Sequence, residues 1–367
     1  MNDALKAQIA LSLISGLGAQ RITRLIHHFK EPQRIFKATI NELLRIDGIG
    51  NGTASEISKF KNWDEVDRIL NYADKHNVWL LSYADERYPD RLRHIYDPPV
   101  LLWGMGNLKS LSVPGIAIIG TRKPSAYGKE MAEKFSKELV SNGLSVISGL
   151  AYGIDTIAHQ ACVSVSGQTV GVLGSGIDRI YPSSNTKLAQ RIVEMGGAVI
   201  SEFPPGTKPD AGNFPVRNRI VSGLSLGVLV IESGLTGGSM ITANLALDQG
   251  REVFAVPHEI SRKSGEGGNA LIKRSNAKLV SSLDDILSEL QISGYINQVQ
   301  KAEPKWKNED LTLEETAICE QLGEESVHID DLAAGLGKPG HSLLGILLQM
   351  ELKGIIKAQP GKYFKVA

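Results

Sequence analysis

Five Gly-containing or basic segments recur through the middle of this chain, each just after an apolar run. They are Gly120-Thr121-Arg122-Lys123-Pro124; Ser148-Gly149-Leu150-Ala151-Tyr152-Gly153-Ile154-Asp155; Gly174-Ser175-Gly176, leading to Tyr181-Pro182 and Lys187; Phe203 to Pro215 with Arg217-Asn218-Arg219; and Gly234-Leu235-Thr236-Gly237-Gly238-Ser239. Glycine lets the backbone approach a ligand closely, Thr and Ser offer hydroxyls, and Arg forks onto two phosphate oxygens. Where such a turn opens a helix, unpaired N–H groups add a field that favours an anion. One turn of this kind is common for steric reasons alone. Five at successive strand ends describe a phosphate-binding surface, because ligands of open parallel sheets sit beyond the carboxyl ends of the strands.

Other chemistry is thinly represented. Gly174 and Gly176 begin like a dinucleotide fingerprint, but Arg179 stands where a third Gly is needed and the next helix waits until after Tyr181-Pro182. No nicotinamide site is expected, and no other cofactor. Asp155 and His159 fall four residues apart at a helix start, a spacing open to a base with its orienter or to a helix-terminal charge beside a packed histidine. His258 and Glu259 have no metal partner nearby, and Cys162 and Cys319 fit no ligand spacing. The chain is expected not to be an enzyme.

These turns need a scaffold. The runs Ile116–Ile119, Leu144–Ile147, Thr169–Leu173, Ala198–Ser201, Gly227–Ile231 and Glu252–Val256 alternate with helical patterns. That alternation predicts βαβ units around an extended Rossmann-like parallel sheet. Val78–Leu81 and Val100–Trp103 read as two further strands. The helix after the first βαβ strand places Met131, Phe135 and Leu139 on one face and Lys129, Lys134 and Lys137 elsewhere. Residues 1–75 read as short helices broken by Ser15-Gly16-Leu17-Gly18 and Asp47-Gly48-Ile49-Gly50. Two readings stand for them: phosphate-facing helix-hairpin-helix units, or a plain packing domain that needs Gly at its turns.

The α/β part spans 76–290, and the polar, Lys-rich stretch 291–310 reads as a linker. Residues 311–367 carry helices at Leu313–Leu322, Ile329–Leu336 and Pro339–Lys353, then two short strands around Pro360-Gly361, the layout of a winged helix. Its third helix is mostly apolar, so protein contact or a structural role stands beside groove reading. Lys plus Arg and Asp plus Glu both number 40, so net charge implies no polyanion partner and a nucleic-acid site must be local. No apolar run approaches the ~18 residues of a membrane span, and a cytoplasmic protein is expected.

With these residues in order, the sequence resembles the DprA/Smf (DNA-processing protein A) family. The resemblance rests on seven ordered motifs: Tyr88-Pro89 to Pro98-Pro99, Gly120-Thr121-Arg122, Ser148 to Asp155, Tyr181-Pro182 to Asn185, Phe214-Pro215 to Ile220, Gly238 to Ala243, and Val253 to Pro257. It covers about residues 80–280. It implies a sterile-alpha-motif-like N-terminal domain, a homodimer, and binding of single-stranded DNA. It further implies loading of the RecA recombinase, with displacement of single-strand-binding protein, during natural transformation.

By the resemblance, Arg122 contacts DNA phosphate and Lys187 is a second basic contact. Arg217, Asn218 and Arg219 join the expected interface with Gly120, Thr121, Gly149, Gly237, Gly238 and Ser239, although part of 217–219 also reads as structural. His258 and Ser275-Asn276 depart from the family pattern. The rival class is a phosphoribohydrolase acting on nucleoside monophosphates, whose Gly-rich turn is followed closely by a catalytic Glu. Here the first acid after Gly237-Gly238 is Asp248.

Overall fold

The computed structural model describes residues 3–291, 311–322 and 326–366. The chain divides into two units, Met1–Ile296 and Asn297–Ala367. The linker expected over 291–310 lies, past Gln291, outside the described residues.

The first unit opens with six helices, α1 (Asp3–Ser12), α2 (Ala19–Phe29), α3 (Pro32–Ile35), α4 (Ile40–Leu43), α5 (Asn51–Ser58) and α6 (Trp63–Lys75). Both Gly-apolar-Gly turns end at a helix N-cap, Gly18 for α2 and Gly50 for α5. Gly16 and Gly48 take positive φ of 71° and 82°, where a side chain would be strained. Arg24 ties α2 to the second turn, donating to the Asp47 carbonyl at 3.1 Å and its carboxylate at 2.6 Å. These helices do not form a separate core. Ile9, Leu25 and Ile57 pack in one cluster with Leu101, Trp103 and Ile192 of the α/β part.

The α/β part carries nine strands: β1 (Trp79–Ser82), β2 (Leu101–Gly106), β3 (Gly115–Ile119), β4 (Ser145–Ser148), β5 (Thr169–Leu173), β6 (Ala198–Ser201), β7 (Gly227–Val230), β8 (Glu252–Ala255) and β9 (Lys278–Leu279). They form one sheet in the order β1-β2-β6-β5-β4-β3-β7-β8-β9. From β6 to β9 every pairing is parallel, and β2 joins β6 antiparallel. The two-residue β9 is too short to show a pattern of its own, and only the family resemblance implied a last short strand after Ser275-Asn276-Ala277.

The intervening helices are α7 (Asp90–Arg93), α8 (Ala126–Ser141), α9 (Ile154–Ser164), α10 (Thr186–Glu194), α11 (Asn213–Leu224), α12 (Gly238–Asp248), α13 (Glu266–Lys273) and α14 (Leu283–Glu289). Strand side chains alternate between faces. Ile116 and Ile118 meet Phe135 and Leu139 of α8 and Ala158 of α9, whereas Ala117 and Ile119 meet Ile220 and Leu224 of α11 and Ala243 of α12. With both faces covered, central strands become wholly apolar runs. Truncating a filled position such as Phe135, 1% exposed, to Ala would cost about 3–5 kcal/mol. The chain order reverses at β3, which has β4 on one side and β7 on the other. That reversal opens a crevice between the turns after β3 and β7.

The second unit has helices α15 (Leu313–Leu322), α16 (Ile329–Leu336) and α17 (Gly340–Leu352), with β10 (Val327–His328), β11 (Ile356–Gln359) and β12 (Tyr363–Val366) in an antiparallel sheet ordered β10-β12-β11. This is a winged helix, whose core gathers Ile318, Leu332, Leu347, Met350 and Phe364. Lys353 donates to Glu315 at 2.6 Å, closing α17 onto α15. Leu344, Leu348 and Leu352 remain exposed along α17.

Candidate nucleic-acid interface

A cavity of about 380 Å³ occupies the crevice at the reversal point. Four segments wall it: Gly120–Arg122 after β3, Gly149–Ala151 after β4, Phe214–Asn218 entering α11, and Gly234–Ser239 entering α12. Four of the five turns singled out in the sequence thus meet at one place. The turn after β5 contributes Tyr181 to a neighbouring cavity of about 460 Å³, which shares Arg122, Phe214, Asn218 and Gly238 with the first. Lys187 is exposed in the first turn of α10 and lines neither cavity.

Local structure fixes the Arg122 turn. The Thr121 N–H donates to the Glu232 carbonyl at 2.7 Å, and the Thr121 carbonyl accepts from Ile154 at the start of α9. A Cβ on Gly120 would run into Ile154 and the Glu232 carbonyl, so Gly is required by close approach. The Glu232 carboxylate accepts from the Ser125 N–H and hydroxyl, both at 2.9 Å, and so secures the N-terminus of α8 from across the crevice. Glu232 was not singled out in the sequence. Its signal was there, a charged residue directly between an apolar strand and a Gly turn, but that position names no partner.

Arg122 is exposed, with its guanidinium 5.9 Å from the centre of the Phe214 ring. Phe214 in turn lies 5.7 Å from Tyr181. At the other wall, Gly237 (φ 147°) precedes α12 at its N-cap and supplies no side-chain cap, so the first N–H groups of that helix lack internal partners. The Ser239 hydroxyl pairs with Ser233 at 2.8 Å, and Asn218 donates to the Gly238 carbonyl at 3.3 Å.

Arg217, Asn218 and Arg219 do not act as one basic stretch. Arg217 is 4% exposed and forms the cavity floor, where Nη1 donates to the Val172 carbonyl and Nε has no partner among the described residues. Gly149 lacks the Cβ that would otherwise overlap this guanidinium. Burial, with Arg122 adding repulsion and Asp155 opposing both, pulls Arg217 down to about 10. Burial likewise raises the Asp155 carboxyl, although Arg217 and the N–H groups of Gly149 and Ala151 favour its charge.

Arg219 faces the opposite way. It holds Glu202 through two parallel bonds of 2.8 and 2.7 Å, and Nε meets the Asp97 carbonyl and carboxylate at 2.9 Å. Burial disfavours its charge, but the two carboxylates outweigh that and raise it. Its expected place on the interface is therefore corrected: every donor group is already bonded inside the protein, and a phosphate would have to displace two acids. These acids face the Gly16-Leu17-Gly18 turn across a cavity of about 550 Å³, which turns the first helical hairpin toward the α/β core.

The Asp155 and His159 pair is not a hydrogen-bonded couple. His159 is fully buried and bonded to the Thr169 hydroxyl at 2.8 Å, and burial lowers it to about 3. Burial also raises both thiols, Cys162 to about 12 and Cys319 to about 11.

Residues 79–291 match the family described as DNA recombination-mediator protein A, and residues 302–362 match the DprA winged helix domain. This chain belongs to the DprA/Smf family. Protein Smf of Escherichia coli (strain K12) is 34% identical over 98% of this chain and 95% of its own length. The X-ray structure of DNA processing protein A from Streptococcus pneumoniae superposes with a TM-score of 0.66 at 34% identity, covering 77% of this chain and 97% of that one. DNA processing protein A from Helicobacter pylori, whose structure describes a single-stranded DNA binding mode, gives 0.52 at 31% identity over 61% of this chain and 96% of its own. The departures at His258 and Ser275-Asn276 are local. His258 seats its ring over Gly265 and bonds Asn269 in both directions, and Ser275 takes a φ of 57° at the end of α13. Among the described residues, no helix is long and apolar enough to cross a membrane.

Proposed function

We propose that this protein binds single-stranded DNA in the cleft at the sheet reversal and acts in DNA processing as a loader of recombinase. The observation that carries this reading is the convergence of Arg122, the uncapped start of α12 and the Phe214–Tyr181 ring pair on two adjoining cavities. Single-strand binding requires positive groups that track the backbone and aromatic faces on which bases stack. Here both lie within one continuous surface, with Arg122 between them. Gly120, Thr121, Gly149, Gly237, Gly238 and Ser239 let the backbone approach, and Asn218 and Arg217 line the wall and floor. Lys187, outside the cavities, extends the charged track. The single-stranded DNA binding mode described for the Helicobacter pylori relative supports the same ligand.

The resemblance to the family supports the finer reading: a cytoplasmic homodimer that displaces single-strand-binding protein and delivers the strand to RecA during natural transformation. A binding role rather than catalysis is favoured by the state of the acid at the cleft. Asp155 accepts from two backbone N–H groups, and the nearest candidate base, His159, is committed to Thr169. The test is a gel shift with equal-length single- and double-stranded oligonucleotides, with and without RecA. Preferential retention of the single strand and faster RecA filament growth are expected. Equal retention of both forms, or release of free base from nucleoside monophosphates, would overturn the reading.

A further inference from the structure

The Arg217 guanidinium is built into the cleft floor beyond what a passing backbone needs. We propose that this floor is a subsite for a terminal phosphomonoester, so that the protein holds a phosphorylated end of the strand. The inference rests on the single-strand reading above and adds the chemistry of the end.

Three observations converge. Arg217 is only 4% exposed, yet its Nε has no hydrogen-bond partner among the described residues. A buried guanidinium is costly to keep charged, and an anion in the cavity it lines would offset that cost. Next, the α12 N-terminus opens on the same cavity, with no side chain capping it. Finally, the charges do not cancel. Arg122 and Arg217 face one cavity with Asp155 as their acid, while Arg219 has two carboxylates of its own. Two guanidiniums and one carboxylate leave +1, and the helix start adds roughly +0.5. A phosphodiester brings a single negative charge; a terminal phosphate brings about −1.5 to −2 at neutral pH. The terminal group matches the cavity better.

Shape agrees. Four segments wall the cavity above Arg217. An internal diester at the floor would need room for two departing sugars, whereas a terminal phosphate sends out one. That one arm can leave past Phe214 and Asn218 into the neighbouring cavity, where Tyr181 stands.

The experiment uses the full chain and four DNA strands of one sequence, measured by fluorescence anisotropy. One carries a 5′-phosphate, one a 3′-phosphate, one hydroxyls at both ends, and one is a closed circle. One of the two phosphorylated ends should bind about tenfold tighter than the hydroxyl-ended strand, as expected for gained charge-assisted hydrogen bonds. The circle should bind like the hydroxyl-ended strand, and the 5′ and 3′ arms identify which end is held. Arg217→Gln should abolish the difference between ends. Because Arg217 is buried, a second variant guards against misfolding. Thr236→Asp alters an exposed residue of the cleft wall and places a charge that favours a helix start but repels a phosphate; it too should abolish the difference. Equal affinity for all four strands would overturn the subsite and leave single-strand binding standing. An end preference that survives both variants would also overturn it. Failure to bind any strand would overturn the broader reading instead.

Discussion

Replacing Arg122 with Ala gives the sharpest test of the interface, because the two quantities it should change are independent. The side chain is exposed, forms no ion pair among the described residues, and sits 5.9 Å from the centre of the Phe214 ring. Little folding stability is therefore at stake, about 0.5–1 kcal/mol for such a cation–ring contact. A charge-assisted hydrogen bond to phosphate is worth about 1.5–3 kcal/mol. The lower end is expected here, since removing Arg122 also relieves its repulsion of Arg217. Affinity for a single strand should fall about tenfold. Each phosphate contact contributes about 0.7 to the slope of log affinity against log salt for single strands. Between 50 and 200 mM salt, a fourfold change, the native protein should thus lose about 2.6 times more affinity than Arg122→Ala. Filter binding at four salt concentrations measures both quantities. An unchanged slope would refute the phosphate contact, even if affinity fell.

Arg219→Ala should behave in the opposite way. It strands Glu202, whose side chain is 12% exposed, so chemical denaturation should show a loss of about 3–5 kcal/mol with the salt slope unaltered. Gly149→Ala introduces a Cβ that overlaps the buried Arg217 guanidinium; it should cost about 1–3 kcal/mol in unfolding and lower single-strand affinity several-fold, and unchanged affinity would remove the Arg217 guanidinium from DNA binding. His159 makes stability depend on pH. Its folded value near 3 lies below the ordinary 6.5, so the unfolded chain binds the extra proton and stability is lost as pH falls from about 6.5 toward 3. The difference in unfolding free energy between native protein and His159→Gln should shrink by up to about 1.4 kcal/mol per pH unit below 6, and a pH-independent difference would refute the buried neutral ring. Glu232→Ala removes the acceptor for Ser125 at the head of α8 and should cost about 1–2 kcal/mol in denaturant unfolding.

The sequence by itself determined the scaffold. Buried parallel strands must be continuous apolar runs, and Ile116–Ile119, Thr169–Leu173 and Gly227–Val230 could be read directly for that reason. Glycine at the strand ends was equally legible, because a turn that admits another backbone tolerates nothing larger, as at Gly120. The winged helix was visible in its helix spacing, apart from the two-residue β10. What remained hidden was which charges belong to which surface. Arg217 and Arg219 are two residues apart on α11, so the helical turn points them to opposite sides. One meets the open cleft and the other meets Glu202 and Asp97, brought by loops from elsewhere in the fold. The meeting of four turns around one cavity was likewise decided by strand order, since the chain must skip from β6 to the far side of β3 before β7 can face it. Local pattern records what a residue can do; partners distant in sequence decide what it is left free to do.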